Sequence, residues 1–140
     1  MKLVDVNVWF AVSWEGHQHH VIAKRWLDGE NDALAFCRVT QMALLRLVTN
    51  PAVMQRDVVS RREAWDVFDR LMADRRVRFL DEPDGFDALW ISLSRRDDRH
   101  HLLWTDDYLA AFAEGAGADL VTFERAFLAR YPAVHVTVLS

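Results

Sequence analysis

The chain has 140 residues, 51% of them apolar, with six tryptophans, 17 basic and 21 acidic residues and a net charge of −4. That length fits one domain over residues 1–140, burying roughly two-thirds of its unfolded surface. The negative charge argues against a general nucleic-acid binder. Cys37 is the only cysteine, so neither an intrachain disulfide nor a thiolate metal cluster can form. No uncharged run approaches the ~20 residues of a membrane span, and Asp5 interrupts the N-terminal apolar run too early for a signal peptide. A reducing compartment, the cytoplasm, is expected.

The first element reads as a strand, Leu3, Val4, Val6 and Val8 being typical of one buried on both faces. Asp5 is foreign to such a run, because a buried carboxylate without compensation costs several kcal/mol. On a strand, Asn7 would share its face. Residues 9–15 read as a loop and residues 17–27 as a helix. Residues 29–32 are turn chemistry, and residues 33–37 read as a strand. Thr40 is placed to cap a helix that Asn50-Pro51 stops.

Ser60 and Glu63 make a capping-box pattern ahead of Ala64, Val67, Phe68 and Leu71 at helical spacing. Residues 77–80 read as a strand, and Asp84 is placed to cap the next helix. A charged loop spans residues 95–101. Thr105 is placed to cap a helix over residues 106–114. Residues 120–123 read as a strand, 126–130 as a short helix and 134–139 as a closing strand. Strands alternating with helices predict an α/β fold, three layers α/β/α around a central parallel sheet of about five strands. Ligands of such folds bind beyond the C-terminal strand ends, where the strand order reverses.

That edge would collect Asp5, the Asp106-Asp107 pair and Glu124. Each has a plainer reading: a turn cap, a helix-dipole partner, a solvated helix start. Together they would repel unless a cation held them. All-oxygen donors suit Mg²⁺ or Mn²⁺. Metal-assisted hydrolysis of a nucleic-acid phosphodiester is the leading chemical reading.

Four segments stand in a telling order: Val4-Asp5-Val6-Asn7, Thr40-Gln41-Met42-Ala43-Leu44-Leu45-Arg46, Thr105-Asp106-Asp107-Tyr108-Leu109 and Leu120-Val121-Thr122-Phe123-Glu124. In this order they resemble PIN-domain proteins, most of all the VapC toxins of toxin–antitoxin pairs. The resemblance covers nearly the whole chain. It implies a metal-dependent endoribonuclease with Mg²⁺ on Asp5 and Asp106 and with Glu124 as a further catalytic acid. It places Asn7, Gln41 and Thr122 as supporting polar groups and Arg46 at the substrate. It also implies an RNA substrate, a cognate antitoxin and a homodimer, with no membrane.

Two departures stand out. Gln41 replaces a customary Glu, and Glu124 stands where Asp is usual with Ala126 in place of a second acid. Weaker metal binding is expected. A PIN domain that binds RNA or protein without cleaving is therefore an alternative. A phosphatase with Asp5 as nucleophile would need a second Asp where Asn7 stands.

Other features carry two readings each. Arg95, Arg96, Arg99, His100 and His101 either hold RNA phosphates or form a solvated loop balanced by Asp97 and Asp98. His17, His19 and His20 have a zinc-like spacing but read more simply as a surface helix. Trp14, Trp26, Trp65 and Trp90 belong to the core or to a groove for an amphipathic antitoxin segment.

Overall fold

Successive side chains of the central strands point to opposite faces of the sheet, and this alternation builds two cores. In the computed structural model, which describes residues 1–140, the five parallel strands are β1 (Lys2–Val4), β2 (Leu34–Phe36), β3 (Val77–Phe79), β4 (Asp119–Thr122) and β5 (Val136–Val138). Val4, Leu34, Phe36, Val77 and Val121 face one core, while Leu3, Ala35 and Leu120 face the other.

The first core lies under α1 (Val6–Ser13), α2 (His20–Gly29), α3 (Arg38–Val48), α4 (Pro51–Met54) and α5 (Arg61–Met72). Trp9 stacks on Phe36 at its centre, with ring centroids 4.2 Å apart. The second lies under α6 (Phe86–Ser94), α7 (Leu103–Ala116) and α8 (Ala126–Arg130). This is the α/β/α arrangement expected from the sequence.

The sheet order is β3-β2-β1-β4-β5. The chain steps outward from β1 to β3, then crosses to β4 on the other side of β1. The order thus reverses between β1 and β4, and in such sheets the reversal marks a crevice beyond the C-terminal strand ends.

Several local expectations need correction. β1 ends at Val4, and Asp5 caps α1 instead of continuing the strand, its Oδ1 accepting from the Val6 amide at 2.7 Å. Asn7 and residues 9–13, expected on a strand and in a loop, are therefore helical. The helix was hidden because Val8, Trp9, Phe10, Ala11 and Val12 are all buried. No polar face marks its period.

Thr40 is not the cap of α3. It lies inside the first turn and folds back, its hydroxyl accepting from the Cys37 amide at 3.0 Å. Gly85, at φ 77°, precedes α6 where Asp84 was expected to cap. α7 starts at Leu103, so Thr105 is within it. The Ser60–Glu63 capping box forms as the sequence predicts.

Candidate functional site

Asp5 lies at the strand-order reversal and is only 7% exposed. Its Oδ2 accepts from the Thr122 hydroxyl at 2.8 Å. Thr122 ends β4, so one hydrogen bond ties the two central strands together at their C-terminal edge. The same hydroxyl oxygen accepts from Asn7 Nδ2 at 3.1 Å and from the Glu124 amide at 3.0 Å. Asn7 Oδ1 accepts from the Phe123 amide at 3.2 Å. Thr122 is therefore the hub that fixes Asp5, Asn7 and the Glu124 turn.

Asp106 sits half-buried in the first turn of α7, beside this hub. Its Oδ2 accepts from Arg130 Nη1 at 3.0 Å. Burial, and then the Asp5 charge, push its carboxyl up to about 6, against the pull of Arg130 and with further pushes from Glu124 and Asp107. Asp5 is also raised, by burial first, with the Glu124 charge acting in the same direction. Asp5 and Glu124 are thus close enough to Asp106 to disfavour its ionisation, and Glu124 close enough to act on Asp5. Glu124 is exposed at the rim, where its Oε1 accepts from the Ala126 amide. Asp107 turns the other way and accepts from the Tyr131 hydroxyl.

The donor chemistry fits a hard divalent cation. Asp5 is rigidly held, Asp106 has one oxygen with no protein partner, and the cluster's only ion-paired cation is Arg130. No three His, Cys, Asp or Glu side chains converge on a single point. An ion here would be held by two carboxylates, with water filling the remaining positions, as Mg²⁺ commonly is. The histidines offer no zinc site. His17 Nδ1 accepts from the His19 amide, and His20 Nδ1 pairs with the Ala11 carbonyl.

Two expected members stand apart. The buried Gln41 accepts from Arg38 Nη1 at 2.6 Å and makes no hydrogen bond to the acids. Arg46 is exposed on a groove between α3 and α5, shared with Met42, Leu45, Arg61 and Trp65. None of the acids lines that groove. Arg130 carried no sequence signal, since nothing in the chain places α8 over the start of α7.

The description "PIN domain" belongs to the family model that matches residues 2–133. The chain belongs to the PIN-domain family. It is 38% identical to Ribonuclease VapC41 of Mycobacterium tuberculosis over 146 aligned positions, spanning 100% of this chain and 99% of that protein. It is 32% identical to Ribonuclease VapC39 of the same organism, over 89% of this chain and 88% of that one. Its fold matches the crystal structure of Mycobacterium tuberculosis VapC20, a sarcin-ricin loop cleaving toxin, with a TM-score of 0.69, 19% identity, and 92% and 94% coverage.

The PIN-domain acids make a pH prediction. Asp106 has an ordinary value of 3.8, and the fold raises it to about 6. The folded state therefore binds more protons between these values, so this group's contribution to stability grows as pH falls from 7 towards 4. His17, lowered by burial, acts with the opposite sign below its ordinary 6.5. Comparing proteins isolates Asp106: Asp106→Asn should be more stable than wild type at pH 7, and the gap should close by pH 4. Metal-free thermal unfolding across that range checks it. A constant gap would contradict the assignment.

Proposed function

We propose that the protein is a Mg²⁺-dependent endoribonuclease that acts as the toxin of a toxin–antitoxin pair. The carrying observation is the set of mutually repelling acids, Asp5, Asp106 and Glu124, at the β1–β4 crevice. The end-to-end likeness to Ribonuclease VapC41 supports the same reading.

A divalent cation on Asp5 and Asp106 would neutralise the cluster, bind a phosphate oxygen and lower the pKa of a coordinated water. The rest of the chemistry falls to this chain's residues. Thr122 and the Val6 amide aim the Asp5 carboxylate into the crevice. Glu124, exposed at the rim, orients the attacking water and takes its proton. Arg130 offers its guanidinium beside Asp106, where a phosphate would carry negative charge.

The natural partner is a cognate antitoxin. The fold also matches the VapBC2 structure of Rickettsia felis bound to a DNA fragment from their promoter, with a TM-score of 0.69, 14% identity, and 99% and 98% coverage. A homodimer in the cytoplasm completes the proposal, and no helix is long and apolar enough to cross a membrane. Purified protein incubated with total RNA, with Mg²⁺ or with EDTA, tests it. Discrete new RNA ends with Mg²⁺ alone are expected. Intact RNA in both would refute it.

Gln41 favours a second reading, a cleavage-impaired module that binds RNA or protein, because its amide carries no charge. Expression without the antitoxin separates the two: growth arrest that Asp5→Asn relieves supports the nuclease. Because Arg38 holds the Gln41 side chain away from the acids, Gln41→Glu is expected to leave Mn²⁺ affinity by calorimetry nearly unchanged. Several-fold tighter binding would put Gln41 at the metal and favour the impaired reading.

A further inference from the structure

We propose that the loop between α6 and α7 is a track for single-stranded RNA leading away from the acid crevice; this rests on the nuclease reading above. The charge of the loop opposes that of the whole. Arg95, Arg96 and Arg99 outnumber Asp97 and Asp98 in a chain of net charge −4. None of the three arginines takes part in any of the structure's ion pairs. Asp98 is tied to its own loop, its Oδ1 accepting from the His100 amide at 3.0 Å. Arg96 Nε donates to the Leu93 carbonyl at 3.0 Å, which leaves its terminal nitrogens and the Arg95 and Arg99 guanidinium groups to meet phosphates.

The track is continuous with the site. One cavity of about 340 Å³ is lined by Arg95, Arg96, Arg99, His100 and Trp104 among others. A second, of about 260 Å³, shares Arg96, Asp98, Leu103 and Asp107 with the first and reaches Arg130. Arg130 is bonded to Asp106, so the second cavity joins Arg96 on the loop to the cation that pairs with the acid cluster, with Asp98 and Asp107 also on its wall.

Trp104 gives the track a stacking surface. It is 59% exposed although it lies in the first turn of α7. Its backbone carbonyl accepts from Trp90 Nε1 at 3.3 Å, and the two rings meet edge-on at 6.3 Å. The ring is therefore propped in position and open to a base. A base can stack there only if it is unpaired, and free cationic groups alternating with an exposed aromatic are how sequence-tolerant single-strand binding is built.

The test is fluorescence anisotropy of a short, unstructured, labelled RNA with the full-length protein in EDTA, across a salt series. Arg96→Gln with Arg99→Gln should weaken binding by about tenfold or more and reduce the salt slope by about 1.4. Trp104→Ala should weaken it by about tenfold at an unchanged slope. Arg61→Ala, on the distant α3–α5 groove, should change nothing. The arginines lie on an exposed loop and Trp104 is in neither core, so the substitutions leave the cores intact, and matching thermal unfolding verifies this.

Wild-type affinity and slope in both track variants would overturn the proposal. So would conversion of a dimer to a monomer by Trp104→Ala with RNA affinity unchanged, which would give the face to a second copy of the chain. Mg²⁺-dependent cleavage by the wild type, run in parallel, keeps the two ideas separate. Cleavage with unaltered variant binding sinks the track alone. Weakened variant binding without wild-type cleavage sustains the track and refutes the nuclease.

Discussion

Asp5→Asn and Asp106→Asn should each cut RNA cleavage by roughly 10²–10³-fold or more, the scale of losing one preorganised electrostatic group. Neither should unfold the protein. An Asn at position 5 keeps one acceptor oxygen, for the Val6 amide or the Thr122 hydroxyl, so it loses one hydrogen bond, about 1–3 kcal/mol, without opening either core. At 106, Asn relieves a carboxyl that burial and the Asp5 charge already disfavour. What both variants lose is the charge that would hold a cation. Initial rates of oligoribonucleotide cleavage, with thermal unfolding as the control for folding, decide the matter. Near-wild-type rates in either variant would remove that residue from the catalytic set.

Thr122→Val should be the most damaging change among residues that touch neither metal nor substrate. The hydroxyl donates to Asp5 and accepts from Asn7 and from the Glu124 amide. The isosteric Val leaves those partners without their bond at a residue with no exposure. A cost of about 1–3 kcal/mol in stability follows. Losing the donor also raises Asp5 further, so a proton competes better with any cation. Activity should fall by about 10–100-fold, and its rising limb should move to higher pH. Thr122→Ser should restore both. Restoration of stability without the pH shift would make Thr122 a packing residue only.

The layout of the sheet was legible because β2, β3 and β4 are short apolar runs punctuated by turn chemistry. The convergence of Asp5, Asp106 and Glu124 on one edge followed from topology, since each comes just after a strand or opens a helix there. What failed was local. Asp5 and Val6 to Val8 read as strand because α1 is buried all round and carries no polar face. That error put Asn7 beside Asp5 on a strand, whereas the actual link runs through Thr122.

Arg130 was invisible for a different reason. Its bond to Asp106 depends on how α8 packs over α7, which no local pattern encodes. Gln41 shows the limit of motif matching. Its position in the motif puts it near the acids, yet its side chain is engaged by Arg38, whose guanidinium carbon lies 4.7 Å from the centre of the Phe79 ring.

The proposed chemistry requires Asp5 and Asp106 to form one divalent-cation site. Titrating Mn²⁺ into the metal-free protein, with the free ion followed by electron paramagnetic resonance, tests this directly. The wild type should bind Mn²⁺ in competition with Mg²⁺, and Asp5→Asn and Asp106→Asn should each abolish that binding. Equal Mn²⁺ affinity in all three proteins, or no binding by the folded wild type at millimolar Mn²⁺, would contradict it.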